Sequence, residues 1–256
     1  MIVRFLGTHN AESKNTRLVS LLVDDVLAID AGSLASELTF TEQKEIRTIL
    51  LSHGHYDHIR AVPAFAFNNS GHITRVFAST QTLEILSSHL MDGIIYPKFI
   101  SDTSFLGHKA LKLVPLEPFK PQHIEGYEIT AIPVRHPAGA VGFEISSGDG
   151  KRLFYTGDTG PGLSSIWDKV SPQIVIADVT FPNSMEGLAN EAGHLCPETL
   201  KKELSEFRRV KGYFPEVAAI HLCPEFESEI AEEVKEVAQR LGISIGIAHE
   251  GGHLIV

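Results

Sequence analysis

Only two cysteines, Cys196 and Cys223, occur in 256 residues. That is too few for a disulfide framework, and a reducing compartment would keep both as thiols. Each lies two residues past a histidine, which leaves open a role as a soft metal ligand. Long apolar runs are missing as well: no stretch approaches the roughly 20 residues of a membrane span, and Met1 to Gly7 lacks the basic-then-apolar plan of a signal peptide, so a cytoplasmic protein is expected. Positive charge is scarce, with 22 Lys and Arg against 32 Asp and Glu, a formal charge of −10. Extended binding to nucleic acid needs a basic track that releases counterions, and none is visible. A small anionic substrate is compatible with this balance because bound cations can reverse the field locally. No internal repeat beyond a pentapeptide, no low-complexity stretch and no linker divides the chain. With 43% hydrophobic residues and a near-neutral mean hydropathy, residues 1–256 are expected to form one domain around a large core, and a homodimer is compatible with the composition.

What the chain has instead is histidine, 13 in all, and four ligand-type side chains crowd into His53-Gly54-His55-Tyr56-Asp57-His58. Thr48 to Leu51 before them has strand composition, and Ile59 to Phe65 after them can begin a helix, which puts the cluster on a strand-to-helix turn. Three imidazoles and a carboxylate within six residues are the donor set of zinc and similar ions. In an extended segment His53 and His55 face one side while Asp57 and His58 serve a neighbouring position, a spacing that suits two metals better than one.

These residues resemble the His-x-His-x-Asp-His signature of the metallo-β-lactamase fold hydrolases. The resemblance implies an α/β fold, a four-layer α/β/β/α sandwich with a dinuclear site at one edge of its two sheets. It also implies three further ligands in order: a histidine, a bridging aspartate and a last histidine. His136, Asp158 and His221 are the candidates, and each follows an apolar run of strand character. The implied ligand set is His53, His55 and His136 on one metal, Asp57, His58 and His221 on the other, and Asp158 between them. Two divalent cations are implied. Zinc suits the donors, and manganese and iron also accept imidazole and carboxylate. The buried-looking Val26 to Gly32 resembles the family's Asp-x-Gly segment, in which Asp30 would orient a ligand imidazole through its other ring N–H. Asp178, at the end of the apolar Ile174 to Ala177, resembles the family's acidic residue there, and a simple turn cap is the rival reading.

The pentapeptide His-Leu-Cys-Pro-Glu occurs twice, at residues 194–198 and 221–225. Proline at a first helical position and glutamate in the first turn make each copy a helix start. His221 ends a hydrophobic run, whereas His194 follows the polar Asn190 to Gly193. His221 is therefore assigned to metal and His194 to the substrate or its leaving group. Gly193-His194-Leu195 is also similar to a segment of ribonuclease Z-like proteins and class II cyclic-nucleotide phosphodiesterases, and Tyr96-Pro97 loosely resembles a stretch of the latter. Within Met91 to Ile100, Tyr96 and Phe99 are read as an aromatic wall for a flat ring, with packing on the parent domain as the alternative. His9 is read as a solvated loop residue, and His249 and His253 as edge histidines.

Taken together, the expected activity is hydrolysis of a cyclic nucleotide or other small phosphodiester. A hydroxide bridging the two metals would attack phosphorus, Asp57 would orient it or take its proton, and His194 would stabilise charged oxygens or protonate the leaving group. The alternatives are a tRNA-processing endonuclease, a lactone or thioester hydrolase and, from different classes, a di-iron redox protein or a non-catalytic scaffold. An acid in place of His55 would have favoured the redox protein, and missing ligands would have favoured the scaffold.

Overall fold

The computed structural model describes residues 1–100, 109–137 and 139–256. Its strands run β1 (Ile2–Gly7), β2 (Ser20–Val23), β3 (Leu27–Ile29), β4 (Thr48–Leu50), β5 (Thr74–Ala78), β6 (Leu111–Pro115), β7 (Gln122–Ile124), β8 (Tyr127–Pro133), β9 (Val141–Ser146), β10 (Arg152–Tyr155), β11 (Ile174–Asp178), β12 (Glu216–Ile220), β13 (Ile245–Ile247) and β14 (His253–Ile255). They form two seven-stranded sheets, in the orders β14-β1-β2-β3-β4-β5-β6 and β13-β12-β11-β10-β9-β8-β7. Within them, β3 to β6 and β10 to β13 run parallel.

Alternation along the strands decides the layering. In β2, Leu21 and Val23 join Val3, Phe5, Ile129 and Phe143 between the sheets, while Leu22 turns outward. Successive strand side chains point to opposite faces, so a strand apolar on both faces needs cover on both. On the first sheet that cover is α1 (Leu34–Glu37), α2 (Phe40–Glu45), α3 (Tyr56–Ile59), α4 (Val62–Asn68) and α5 (Thr80–Ile85). The second sheet is covered through Leu200, Leu204 and Phe207 of α7 (Pro197–Lys211) and Ile230 and Val234 of α8 (Glu227–Leu241). A shorter α6 (Glu186–Ala192) precedes α7. The result is the α/β/β/α sandwich.

Three local features complete the fold. The stretch Ala110 to Val134 holds three strands, and Gln122–Ile124 pairs with Tyr127–Ile129 across a turn with Glu125 at φ 50° and Gly126 at φ 87°. The last two strands are not partners: β13 lies beside β12 in one sheet and β14 beside β1 in the other. Met91 to Ile100 packs on its own domain. Phe99 is fully buried in the helix-covered face of the first sheet, 6.3 Å from the Phe67 ring and 5.9 Å from that of Tyr96. A side chain with no accessible surface cannot stack on a ligand, so Phe99 is a core residue; Tyr96 is half-buried against the same cluster. The exposed apolar groups of that segment are Ile94 and Ile95.

Candidate metal centre

The site lies where strand ends of both sheets meet. The loop after β4 supplies His53 and His55, α3 supplies Asp57 and His58, and the turns after β8, β10 and β12 supply His136, Asp158 and His221. Ligands at the carboxyl ends of strands come from loops on a rigid base. Backbone proximity is built in: a Cβ at Gly32 would fall 2.1 Å from the Asp57 carbonyl, so the Asp-Ala-Gly turn needs glycine for the loop to approach. Asp30 and His221 both sit in the left-handed region, at φ 55° and 67°. For residues other than glycine this conformation costs on the order of 1 kcal/mol or more and persists where the surroundings fix it. Here they do: the Asp30 N–H donates to Leu50 O at 2.8 Å, and the His221 N–H to Thr8 O at 2.7 Å.

Two groups of donors share one carboxylate. His53, His55, His136 and Asp158 form one, and Asp57, His58, His221 and Asp158 the other, with the donor atoms of each group within 4.8 Å of one another. Asp158 Oδ2 lies 3.6 Å from His53 Nε2, 3.7 Å from His136 Nε2, 3.3 Å from His58 Nε2 and 3.3 Å from His221 Nε2. His55 faces the group with Nδ1, 3.1 Å from His136 Nε2. Asp57 Oδ2 is 3.2 Å from His221 Nε2 and 3.5 Å from His58 Nε2. Among the described residues, His53 Nε2, His58 Nε2 and Asp158 Oδ1 are buried without a hydrogen-bond partner. Buried polar atoms left unpaired are costly, and these three, spread over the two donor groups, are what bound cations would satisfy.

The outer ring nitrogens of His53, His58, His136 and His221 are all spoken for. His58 Nδ1–H donates to Asp30 Oδ2 at 2.8 Å, and the same carboxylate accepts from the Tyr155 hydroxyl at 2.7 Å and from the Ser52 N–H and hydroxyl at 2.8 Å each. Ser52 Oγ, having given its proton to Asp30, accepts from His53 Nδ1–H at 3.1 Å. His136 Nδ1–H donates to the Gly193 carbonyl at 2.9 Å, and a Cβ on Gly193 would lie 2.9 Å from that same nitrogen. His221 Nδ1–H donates to Thr180 Oγ1 at 2.7 Å, whose own hydroxyl donates to Asp178 Oδ1 at 2.6 Å. These bonds fix the tautomers and leave the Nε2 lone pairs facing inward, as ligation requires.

Electrostatics follow from burial and crowding. Burial pushes His53, His55 and His136 below the usual imidazole range, toward the neutral form that binds metal. Burial also works against charge on His58, yet the carboxylates of Asp158 and Asp30 outweigh it and hold that ring well above its ordinary value. Conversely, burial would raise Asp57 and Asp158, but the surrounding imidazoles hold both well below the carboxylate range.

His194 lies beside this cluster. Its ring stacks at 5.2 Å on that of His221, and Nδ1–H donates to Asp178 Oδ2 at 2.8 Å. Burial opposes the imidazolium, and the Asp178 charge and hydrogen bond outweigh it, pushing the pKa up to about 9. Asp178 could be grouped with His194, His221 and Asp158 as a third donor set. Its oxygens are already committed, Oδ2 to His194 and the Thr159 N–H and Oδ1 to Thr180, which makes it an organiser of two histidines rather than a turn cap.

His9 differs from expectation. It is buried, with Nδ1 2.9 Å from Glu250 and Nε2 3.3 Å from Glu227, and its neighbour Thr8 holds the His221 backbone. No sequence signal marks this, because its partners lie more than 200 positions away. Tyr56, which carries no donor role in the motif, stands 62% exposed beside the two donor groups. His249 and His253 are exposed near the edge of the first sheet and join neither donor group.

The sequence matches the Beta-lactamase superfamily domain over residues 21–214, most of the chain, and the chain belongs to that superfamily. Ribonuclease Z of Thermoplasma acidophilum is 24% identical over 230 residues, covering 69% of this chain and 72% of that protein. Unliganded yeast PDE1 superposes with a TM-score of 0.83 at 15% identity over 100% of this chain and 99% of that one. The metallo-beta-lactamase fold protein YhfI from Bacillus subtilis gives 0.77 at 19% identity, covering 99% of each chain. Fold, family and donor set together define a metal-dependent hydrolase of the metallo-β-lactamase fold, with ribonuclease Z-like relatives. Among the described residues no helix is long and apolar enough to cross a membrane.

Proposed function

We propose that the chain is a dinuclear phosphodiesterase acting on a cyclic nucleotide or another small phosphodiester. The observation that carries the reading is the pair of donor groups meeting at Asp158, with His53 Nε2, His58 Nε2 and Asp158 Oδ1 buried and unpartnered. His53, His55 and His136 would hold one divalent cation, Asp57, His58 and His221 the other, and Asp158 both; zinc fits this mixture of imidazole and carboxylate. Such a pair supplies a water ionised near neutral pH and a clamp on the attacking and leaving oxygens of an in-line displacement.

The chain's own residues do the rest. Asp30, Ser52, Gly193 and Thr180 hold the imidazoles in place, so no reorganisation is needed on substrate arrival. Asp57, whose carboxyl stays ionised, is placed to orient the attacking water or accept its proton. His194, held as a cation by Asp178, donates toward the non-bridging oxygens or the departing alkoxide. A donor of this kind at the edge of the site suits an anionic phosphoryl group better than a lactone carbonyl, and a ribonuclease relative cuts the same class of bond.

The test is a panel on metal-reconstituted protein: cyclic nucleotides, bis(p-nitrophenyl) phosphate, a lactone and a precursor tRNA. Turnover of the small diesters above the lactone supports the reading. Cleavage confined to the tRNA would instead favour the endonuclease that the ribonuclease relative suggests, and turnover of the lactone alone would defeat both. Elemental analysis after full loading should give two ions per chain, and one ion, or undiminished content in Asp158→Ala, would exclude the bridged pair.

A further inference from the structure

With Phe99 packed into the core, and neither it nor Tyr96 lining the cleft at the donor groups, the substrate's non-phosphate part needs another surface. A cleft of about 410 Å³ opens onto the ligand cluster, and beyond the ligands and His194 it is lined by Asn10, Ala11, Glu12, Leu18 and Tyr56. We propose that Tyr56 is the platform on which a flat, uncharged arm of the substrate, a nucleobase, stacks while the phosphodiester lies against the cluster. This rests on the phosphodiesterase reading above.

Three observations carry it. First, Tyr56 is exposed for a reason that packing does not supply. Solitary exposed aromatics are common and need no explanation, as with Phe40 and Phe67, but neither of those lines the cleft. Among the described residues the Tyr56 phenol makes no side-chain hydrogen bond. Second, its position is rigid. It opens α3 between His55 and Asp57, and the Arg60 N–H donates to its carbonyl at 2.8 Å, so the backbone that carries the ring is fixed beside the donor groups. A stacking surface on a short helix costs little entropy to order. Third, the cleft's charge limits its occupant. Outside the ligands and His194, Glu12 is the one charged side chain lining it among the described residues, and it pairs with Arg60. A carboxylate there disfavours a second phosphate, while Ala11 and Leu18 give an apolar wall. A neutral ring fits, and the next nucleotide of a polynucleotide chain does not.

The experiment compares two five-membered cyclic diesters, adenosine 2′,3′-cyclic phosphate and glycerol 1,2-cyclic phosphate, which differ in the presence of a base. For the zinc-loaded full chain, Tyr56→Ala should lower the ratio of kcat/KM for the adenosine ester over the glycerol ester by roughly tenfold to a hundredfold, chiefly through KM, as loss of one base–aromatic stack predicts. Tyr56→Phe, which keeps the ring, should restore the ratio. An equal loss on both esters, or an unchanged ratio, overturns the platform and leaves the phosphodiesterase reading intact. Calorimetric titration with adenosine 5′-monophosphate separates the remaining cases. If the wild type cleaves neither ester yet Tyr56→Ala weakens nucleotide binding, the platform stands and the reaction reading fails. If binding is equal in both proteins, the platform fails as well.

Discussion

The two copies of His-Leu-Cys-Pro-Glu have one sequence and two structures. The second copy leaves the parallel strand β12 with His221 itself left-handed, its ring buried against Asp57 and Asp158. The first copy leaves α6 through Gly193, which takes the left-handed turn in its place at φ 78°, so His194 stays half-buried at the cleft. Both prolines then start helical turns, Pro197 directly in the long α7 and Pro224 in one 3₁₀ turn before α8. What separates the roles is therefore the residue that carries the positive φ. Asp178 serves both copies, reaching His194 directly and His221 through Thr180.

Alanine at the two histidines should break this comparison most. A catalytic cation is worth several kcal/mol of charge stabilisation, so His221→Ala should lose one ion and on the order of 10³-fold or more in kcat on every ester. Elemental analysis alongside kinetics checks both parts, and retention of two ions would reverse the assignment. His194→Ala should keep both ions and lose about 10²–10⁴-fold on esters with alkoxide leaving groups, the range of a general acid. Much of that loss should vanish on p-nitrophenyl esters, whose leaving group needs little protonation. Equal losses on the two kinds of ester would reduce His194 to a phosphate-positioning group.

Smaller changes sharpen the distinction. Asp178→Asn removes the charge that both copies share, and outer partners of this kind are worth roughly 10–100-fold in metal affinity. The same variant should steepen the leaving-group dependence that a working His194 levels, which loss of a purely structural residue would not do. Thr180→Val touches the His221 arm alone. It should weaken one ion by about tenfold, the low end of that range, and leave the leaving-group dependence as in the wild type. A Thr180→Val protein with altered leaving-group dependence would mean that the two arms are not separable.

Much of the site could be read from the chain because its information is local. His53 to His58 is a contiguous motif, and Asp158 and His221 end apolar runs that can only be strands. The different settings of His194 and His221 were legible for the same reason, a polar loop before one and a hydrophobic strand before the other. Phe99 misled because an aromatic beside glycine and proline looks the same whether the loop faces a ligand or folds back on a helix. Its burial depends on Phe67, 32 positions earlier. His9 was illegible because its ion pairs come from Glu227 and Glu250 at the far end of the chain. Tyr56 was overlooked for the opposite reason, since a place with no donor role between two ligands draws no notice until its exposure is known.

The donor groups are divided between the halves of the chain. His53, His55, Asp57 and His58 come from the first sheet, and His136, Asp158 and His221 from the second. Each proposed cation would therefore rivet one layer to the other across the seam. A ligand that binds only the folded state stabilises it by RT ln(1 + [L]/Kd), about 4 kcal/mol at a thousandfold excess over Kd. Here that energy would be concentrated at one edge of the sandwich, while the opposite edge is held by the apolar interior and by contacts such as those of Thr48 and Arg75 with Glu125 and of Tyr127 with Asp24. Chelation should then lower the melting temperature and speed amide exchange first in the loops after β4, β10 and β12, so that the same ions serve as the fastening of the fold.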